Sequence, residues 1–182
     1  MKVRTIGARQ TMMQQLGAAP VTIPLPEVYT AFAAGTIDCA TNGSEESFDD
    51  YAWTEVAKYI IYPPLAAYPL PVNDIYVNTN AWNSLPDDLK AVLEAVGKIN
   101  FARFSYHFRN GDFKARAGFD KQGVTRLYLP QEDHAALTQA ASVVWTDIAK
   151  KSARGREIVK IFTDYTREMN YTDYNVDVKV PK

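Results

Sequence analysis

Arg4 and Asn42 are the residues of this 182-residue chain whose types and positions best suit binding chemistry. A guanidinium grips a carboxylate through two parallel charged hydrogen bonds, and an amide adds a donor and an acceptor beside it. Arg4 comes at the start of the first β-prone run, and Asn42 follows just beyond the end of the third. In open α/β sheets ligands sit outside the carboxyl ends of the strands, so both side chains are expected to face one crevice. From spacing alone, the commoner fate of such an arginine is a surface cation near the chain start.

The other reactive residue types form no constellation. Cys39 is the lone cysteine, which rules out an intrachain disulfide and a multi-cysteine metal site and leaves a small buried hydrophobe as its expected role. Glu45, Glu46, Asp49 and Asp50 form an acidic patch without the glycine and ligand spacing of a calcium loop, so a solvated loop is expected. His107 and His134 are far apart and belong to no metal or triad pattern; the first reads as a polar position on a long helix, the second as an exposed first-turn residue. No glycine-rich phosphate loop or nucleophile elbow occurs. The chain is therefore expected to need no metal and no cofactor and to have no catalytic residues.

Composition narrows the partners. A formal net charge of −1 provides no broad positive footprint for a phosphate backbone, which argues against nucleic acid. Apolar runs fall far short of the ~20 residues that span a bilayer. With 47% hydrophobic residues the chain can build its own core.

The elements that must position Arg4 and Asn42 are punctuated by proline and glycine. Val3 to Ile6 reads as a strand, Gln10 to Leu16 as a helix with Met12, Met13 and Leu16 inward, and Gly17 as its stop. Val21 to Ile23 is a second strand. Pro26 suits the first turn of a helix through Ala34, Gly35 stops it, and Thr36 to Ala40 is the third strand. This βαβαβ order implies parallel strands joined by right-handed crossovers in an open α/β sheet. Tyr51 to Lys58 reads as a short helix, the proline-rich run to Pro71 as an irregular crossover, and Ile75 to Asn78 as a strand. Ser84-Leu85-Pro86-Asp87 resembles a helix start with a hydroxyl cap. Leu89, Val92, Leu93, Val96 and Ile99 then follow at helical spacing, with no clear stop before Gly111 or Gly118, giving seven or eight turns in which Gly97 is a candidate bend. Val124 to Leu129 is a strand. A helix after Pro130 carries Leu137, Ala140, Ala141, Val144, Trp145 and Ile148, Arg154-Gly155 breaks the pattern, and a last helix carries Ile158, Ile161, Phe162, Tyr165 and Met169. Tyr171 to Lys182 reads as a tail. The expected organisation is residues 1–71 as core and crossover, 72–130 as strand, long helix and return strand, and 131–182 as C-terminal helices and tail.

Several of these segments together resemble one family. Pro24-Leu25-Pro26-Glu27-Val28-Tyr29, Gly35-x-Ile37-Asp38 and Leu85-Pro86-Asp87-Asp88-Leu89 fall in its order, with Lys2-Val3-Arg4 ahead and Ala40-Thr41-Asn42 between. The pattern is similar to the second lobe of TRAP-type solute receptors, periplasmic proteins that feed carboxylates to tripartite ATP-independent transporters. The resemblance covers essentially the whole chain. It implies a periplasmic-binding-protein-like (type II-like) α/β fold with a parallel or mixed sheet and a long lobe-spanning helix, truncated at the N-terminus so that most of a first lobe would precede Met1. It also implies that Arg4 makes the salt bridge to a substrate carboxylate, that Asn42 touches the ligand, and that Leu25 holds a position where some members place an aromatic ring. Glu27 and Asp38 are expected to be structural.

Glu55-Val56-Ala57-Lys58-Tyr59 followed by Tyr62-Pro63 resembles the branch that takes 2-oxo or hydroxy acids, some with a metal ion. That branch has an acid where this chain has Thr41, and polar or aromatic groups where it has Leu65-Ala66-Ala67, which argues against a metal. The implied ligand is a small organic acid, and the implied partners are the transporter's membrane subunits. Periplasmic location follows from the resemblance, since residues 1–5 lack the pattern of a secretory signal; a naturally short chain would stay in the cytoplasm. A homo-oligomer is expected, because the Leu89–Ile99 stripe would face water without the first lobe. The competing reading is a stand-alone oligomeric module, or a small intracellular enzyme using Cys39 beside Asp38.

Overall fold

The computed structural model describes residues 1–62 and 74–169. The chain opens with β1 (Lys2–Arg4), α1 (Arg9–Gln15), β2 (Ala19–Val21), a 3-10 turn (Leu25–Glu27), α2 (Val28–Ala33) and β3 (Cys39–Ala40). Both helices end as their glycines suggest. At Gly17 (φ +75°) the N–H of Ala18 reaches Met13 O and that of Gly17 reaches Gln14 O. The same pair of bonds recurs at Gly35 (φ +65°), from Thr36 to Ala31 and from Gly35 to Phe32. These Schellman closures need a left-handed residue that glycine adopts without strain.

The three strands form one parallel sheet in the order β2-β1-β3, with Arg4 opposite both Val21 and Ala40. Pro20 is tolerated because β2 lies at the edge, where a missing N–H breaks no second ladder. The first crossover runs from β1 to β2 and the second back from β2 past β1 to β3, and right-handed connections in opposite directions place α1 and α2 on opposite faces. Each face has its own core. Met12 of α1 packs with Leu137, Ala140 and Ala141, while Val28 of α2 packs with Ile37 and Trp53.

After β3 come α3 (Glu46–Asp50), α4 (Trp53–Val56) and β4 (Tyr59–Tyr62), then α5 (Thr79–Ser84), α6 (Asp87–Phe119), β5 (Thr125–Tyr128), α7 (Gln131–Lys151) and α8 (Ala153–Glu168). β4 and β5 pair in parallel, Tyr59 with Thr125 through Tyr62 with Tyr128. α6 has 33 residues, about 50 Å at 1.5 Å per residue. Its C-terminal end is anchored by Phe119, fully buried with Ala115 and Val124 against Phe48 and Ile60. Its N-terminal half is not: Leu89, Val92, Val96 and Ile99 are 46–58% exposed.

Several sequence expectations are corrected. Ile75–Asn78 forms no strand; Asn78 instead caps α5 by accepting from the N–H groups of Asn80 and Ala81. Ser84 ends α5 with its hydroxyl on Ala81 O, so it does not cap α6. Gly111 and Gly118 lie inside α6, which runs to Phe119, because one glycine costs a packed helix only about 1 kcal/mol. The acidic loop is α3, seated on α6. Leu16 is 39% exposed. The break between the last helices falls at the extended Ser152, whose hydroxyl caps α8, and Arg154-Gly155 lies within the first turn. On α8 the buried residues are Val159, Thr163 and Thr166, whereas Ile158, Ile161, Tyr165 and Met169 are exposed. His134 is half-buried in the first turn of α7. The proline-rich run with Leu65-Ala66-Ala67 and the tail from Tyr171 lie outside the described residues.

Phe119 joins α3, β4, α6 and the entry to β5, so its truncation leaves a cavity none of them can close alone. Phe119→Ala is expected to lower unfolding stability by about 3–5 kcal/mol in urea titrations. A loss below about 1 kcal/mol would show that this joint contributes little.

Candidate functional site

The carboxyl ends of the three parallel strands meet at Arg4. β1 ends on this residue, so the sequence reading that put Arg4 at the strand's beginning is off by a strand length. The guanidinium therefore lies at the carboxyl end of the sheet, outside which open α/β folds place their ligands, and the order β2-β1-β3 puts the topological switch point between β1 and β3.

Arg4 is 4% exposed. Its Nε donates to Ile23 O at 2.9 Å, beyond β2, and Nη1 donates to Thr41 O at 3.0 Å, beyond β3. One side chain thus ties together all three strand ends. Main-chain bonds reinforce the closure, from Thr5 N to Val21 O and from Thr41 N to Arg4 O. The Thr41 hydroxyl donates to that of Thr5, which is fully buried. Gln10, in the first turn of α1, donates to the Thr22 hydroxyl at 2.6 Å.

Two of the five guanidinium N–H groups are used in these bonds. Among the described residues no carboxylate pairs with Arg4. Burial, and then the like charge of Arg9, pull its pKa below the ordinary arginine value. The positive charge is therefore desolvated without a counter-ion among the described residues, a costly arrangement that an incoming anion would relieve.

Asn42 follows Thr41 directly and is half-buried, with no described residue hydrogen-bonded to its amide. Leu25 stands on the 3-10 turn after β2, also half-buried, and packs on the cluster of Val28, Ile37 and Trp53. Arg4 and Asn42 are thus brought to one end of the sheet, and Leu25 follows Ile23, whose carbonyl Arg4 holds. Asp38 is structural, as expected: its carboxylate accepts the Lys2 N–H at 2.6 Å. Thr5, Arg9, Gln10 and Thr22 were not singled out in the sequence. Their signal was positional, since each falls just past a strand end or in the helix turn that follows.

The arrangement can clamp an anion but offers no proton-transfer pair. Cys39, in β3, has its thiol pushed up chiefly by burial; the contact with Ala40 O opposes this, and the nearby charge of Asp38 adds a smaller upward push. An open hollow of about 440 Å³ lies elsewhere, lined by Phe113, Arg116, Ala117, Asp120, Arg126 and Tyr128. Both its arginines are already engaged, Arg116 with Glu45 and Arg126 with Asp120 and the carbonyl of Arg116.

Known proteins agree on the family. Residues 1–152 match the family model DctP, bacterial extracellular solute-binding protein, family 7. A monocarboxylate 2-oxoacid-binding periplasmic protein of Nostoc is 28% identical over 155 residues, 84% of this chain and 41% of that protein. Among solved structures, a TRAP periplasmic solute-binding protein of Anaerococcus prevotii, with bound glucuronate, superposes with a TM-score of 0.77 at 24% identity, over 92% of this chain and 53% of that one. DctP7 of Bordetella pertussis, an extracytoplasmic solute receptor binding pyroglutamic acid, gives 0.71 at 21% identity, over 87% and 52%. The chain spans about two fifths of the length of the curated relatives. The parallel α/β architecture is that of the TRAP receptors, and with most of its length matched by the family model, this chain belongs to bacterial extracellular solute-binding protein family 7.

Proposed function

We propose that this chain binds a small organic acid for a TRAP-type transport system in the periplasm, without transforming it. The carrying observation is the Arg4 guanidinium, buried at the switch point of the sheet with no carboxylate partner among the described residues. In this reading Arg4 holds the carboxylate, Asn42 adds an amide contact, and Leu25 supplies apolar surface beside it. The relatives support the class of ligand: a 2-oxoacid, pyroglutamic acid and glucuronate, named for three of them, all carry a carboxyl group. A receptor of this kind hands its ligand to membrane subunits, and among the described residues no helix is long and apolar enough to cross a membrane itself.

Catalysis by Cys39 has little physical support. A reactive cysteine needs a depressed pKa, and the environment here acts in the opposite direction. We also propose that the chain forms a homo-oligomer. The exposed face of Leu89, Val92, Val96 and Ile99 would be stabilised by about 25 cal/mol for each Å² that association removes from water, and symmetric pairing is the commonest arrangement that does so.

Removing one partner of a buried charged hydrogen-bonded pair costs about 2–5 kcal/mol. Arg4→Ala is therefore expected to abolish the calorimetric signal that the parent gives with pyruvate, lactate, succinate or sialic acid, and equal binding by both proteins would refute the assignment. Cys39 is expected to react with iodoacetamide more slowly than free cysteine at the same pH, and to match it once the chain is unfolded in urea; fast alkylation of the folded protein would revive the enzyme reading. Light scattering at micromolar concentration is expected to give a mass above 20.4 kDa, and a well-behaved monomer would show that the exposed α6 face tolerates water.

A further inference from the structure

We infer that Asp112, in the C-terminal third of α6, is a positioning residue for the ligand site: its carboxylate fixes the segment that carries Thr41 and Asn42. This rests on the reading of Arg4 and Asn42 as ligand contacts. Oδ1 of Asp112 accepts the main-chain N–H of Glu45 at 2.7 Å and that of Glu46 at 3.0 Å. These are N–H groups at the start of α3, which lack partners within their own helix. A carboxylate there satisfies both and complements the positive end of the helix dipole. A local cap is present too, from the Ser44 hydroxyl to Ser47 N, but the N–H groups of Glu45 and Glu46 are served from 67 and 66 positions away.

The consequence for the site follows from connectivity. Thr41 is held to β1 on one side, giving its N–H to Arg4 O and taking Nη1 of Arg4 on its own carbonyl. Glu45 and Glu46 are held to α6 on the other. Between these attachments run only Asn42, Gly43 and Ser44. Ser44 is itself closed onto α3, its hydroxyl accepting from Ser47 N and its carbonyl from the Ser47 hydroxyl. The segment is therefore fixed at both ends, and the Asp112 bonds are the α6 attachment nearest Asn42, because the other contacts of α3 with this end of the chain run through side chains, among them Glu45, Phe48 and Asp49.

The surface of α6 around Asp112 suits this seat. Arg116, one turn further on, binds the carboxylate of Glu45, which is 5% exposed. Gly111 lets α3 approach closely: a Cβ at that position would fall 2.1–2.3 Å from the carboxyl atoms of Glu46. His107 lies one turn earlier, its Nε2 3.9 Å from Glu46 Oε1. A glycine, an acid and an arginine on adjoining positions of one helix thus each meet a different part of the α3 entry.

The test is amide hydrogen exchange by NMR on the whole chain, for the parent, Asp112→Ala and Asp112→Asn, alongside calorimetry with pyruvate, succinate and sialic acid. In Asp112→Ala the amides of Glu45, Glu46 and Thr41 are expected to exchange roughly tenfold faster, the equivalent of a lost helix cap, while Thr5, bonded to Val21 on the far side of β1, stays at the parental rate. Asp112→Asn keeps an oxygen acceptor and is expected to restore Thr41. Should the alanine variant not fold, Asp112→Glu displaces the same oxygen by one methylene and carries the same expectation. Faster exchange at Glu45 and Glu46 with Thr41 unchanged would make the cap purely local and overturn the inference. Equal acceleration at Thr5 would do the same, by showing general destabilisation. In calorimetry the affinity is expected to fall in Asp112→Ala and recover in Asp112→Asn. If Arg4→Ala binds as the parent does, the ligand reading fails by itself, and the Thr41 exchange rate still decides whether Asp112 holds this segment.

Discussion

A buried positive charge at the meeting point of three strand ends is the constraint on which the site end of this molecule depends. The strands are only two or three residues long, so their ladders alone contribute few hydrogen bonds. The Arg4 side chain adds two more, each to a carbonyl just past a neighbouring strand. That makes Arg4 structural and leaves it electrostatically incomplete, because main-chain carbonyls offset only part of the desolvation of a full charge. The two roles are compatible. Nε and one Nη serve the fold, and the remaining donors are directed by a side chain that the fold has already fixed, so a ligand does not have to order it.

Around that point the apolar core is divided between the faces of the sheet. Met12 with Leu137, Ala140 and Ala141 closes one side, extended by the stacked pair Trp145 and Phe162 at 4.7 Å. Val28, Ile37 and Trp53 close the other, where Trp53 stacks on Phe48 at 5.4 Å. Phe48 also touches the Phe119 cluster, so apolar contact continues from α2 through α3 to the end of α6. Two local costs are borne there. The Trp53 indole N–H is buried without a partner among the described residues, and Ala52 adopts a left-handed conformation at φ 54° to turn the chain from α3 to α4. Each opposes folding by about 1–3 kcal/mol, and the aromatic packing of Trp53 offsets them.

Much of the first third was legible because its signals are local. Gly17 and Gly35 stop helices through their own φ values, Pro26 opens a turn through its missing N–H, and the alternation they punctuate implies parallel strands. That topology brings the strand ends with Arg4 and Asn42 to one crevice, but spacing alone favours a surface cation at Arg4, and the ligand role comes from the family resemblance. What escaped the sequence depends on distant partners. α3 read as a solvated loop because its cap, Asp112, and the partner of Glu45, Arg116, both lie on α6. β4 was missed because Tyr59–Tyr62 becomes a strand only by pairing with Thr125–Tyr128. The boundary before α8 lies at Ser152, not at Arg154-Gly155, because its hydroxyl caps the N–H three residues ahead. On α8 the apolar residues outnumber those that α7 can cover, and periodicity alone does not say which of them are buried.

The central claim is that the part of the Arg4 guanidinium left without a partner among the described residues is a carboxylate site. The measurement that bears on it most directly is a crystal structure of this chain grown with a carboxylate that calorimetry has shown to bind. The account predicts a carboxylate oxygen within hydrogen-bonding distance of the Arg4 guanidinium, about 2.7–2.9 Å, with Nε and Nη1 still on Ile23 O and Thr41 O and the Asn42 amide turned to the ligand. A carboxylate bound elsewhere, with the Arg4 guanidinium untouched, would contradict it and leave Arg4 as the fastener of three strand ends alone.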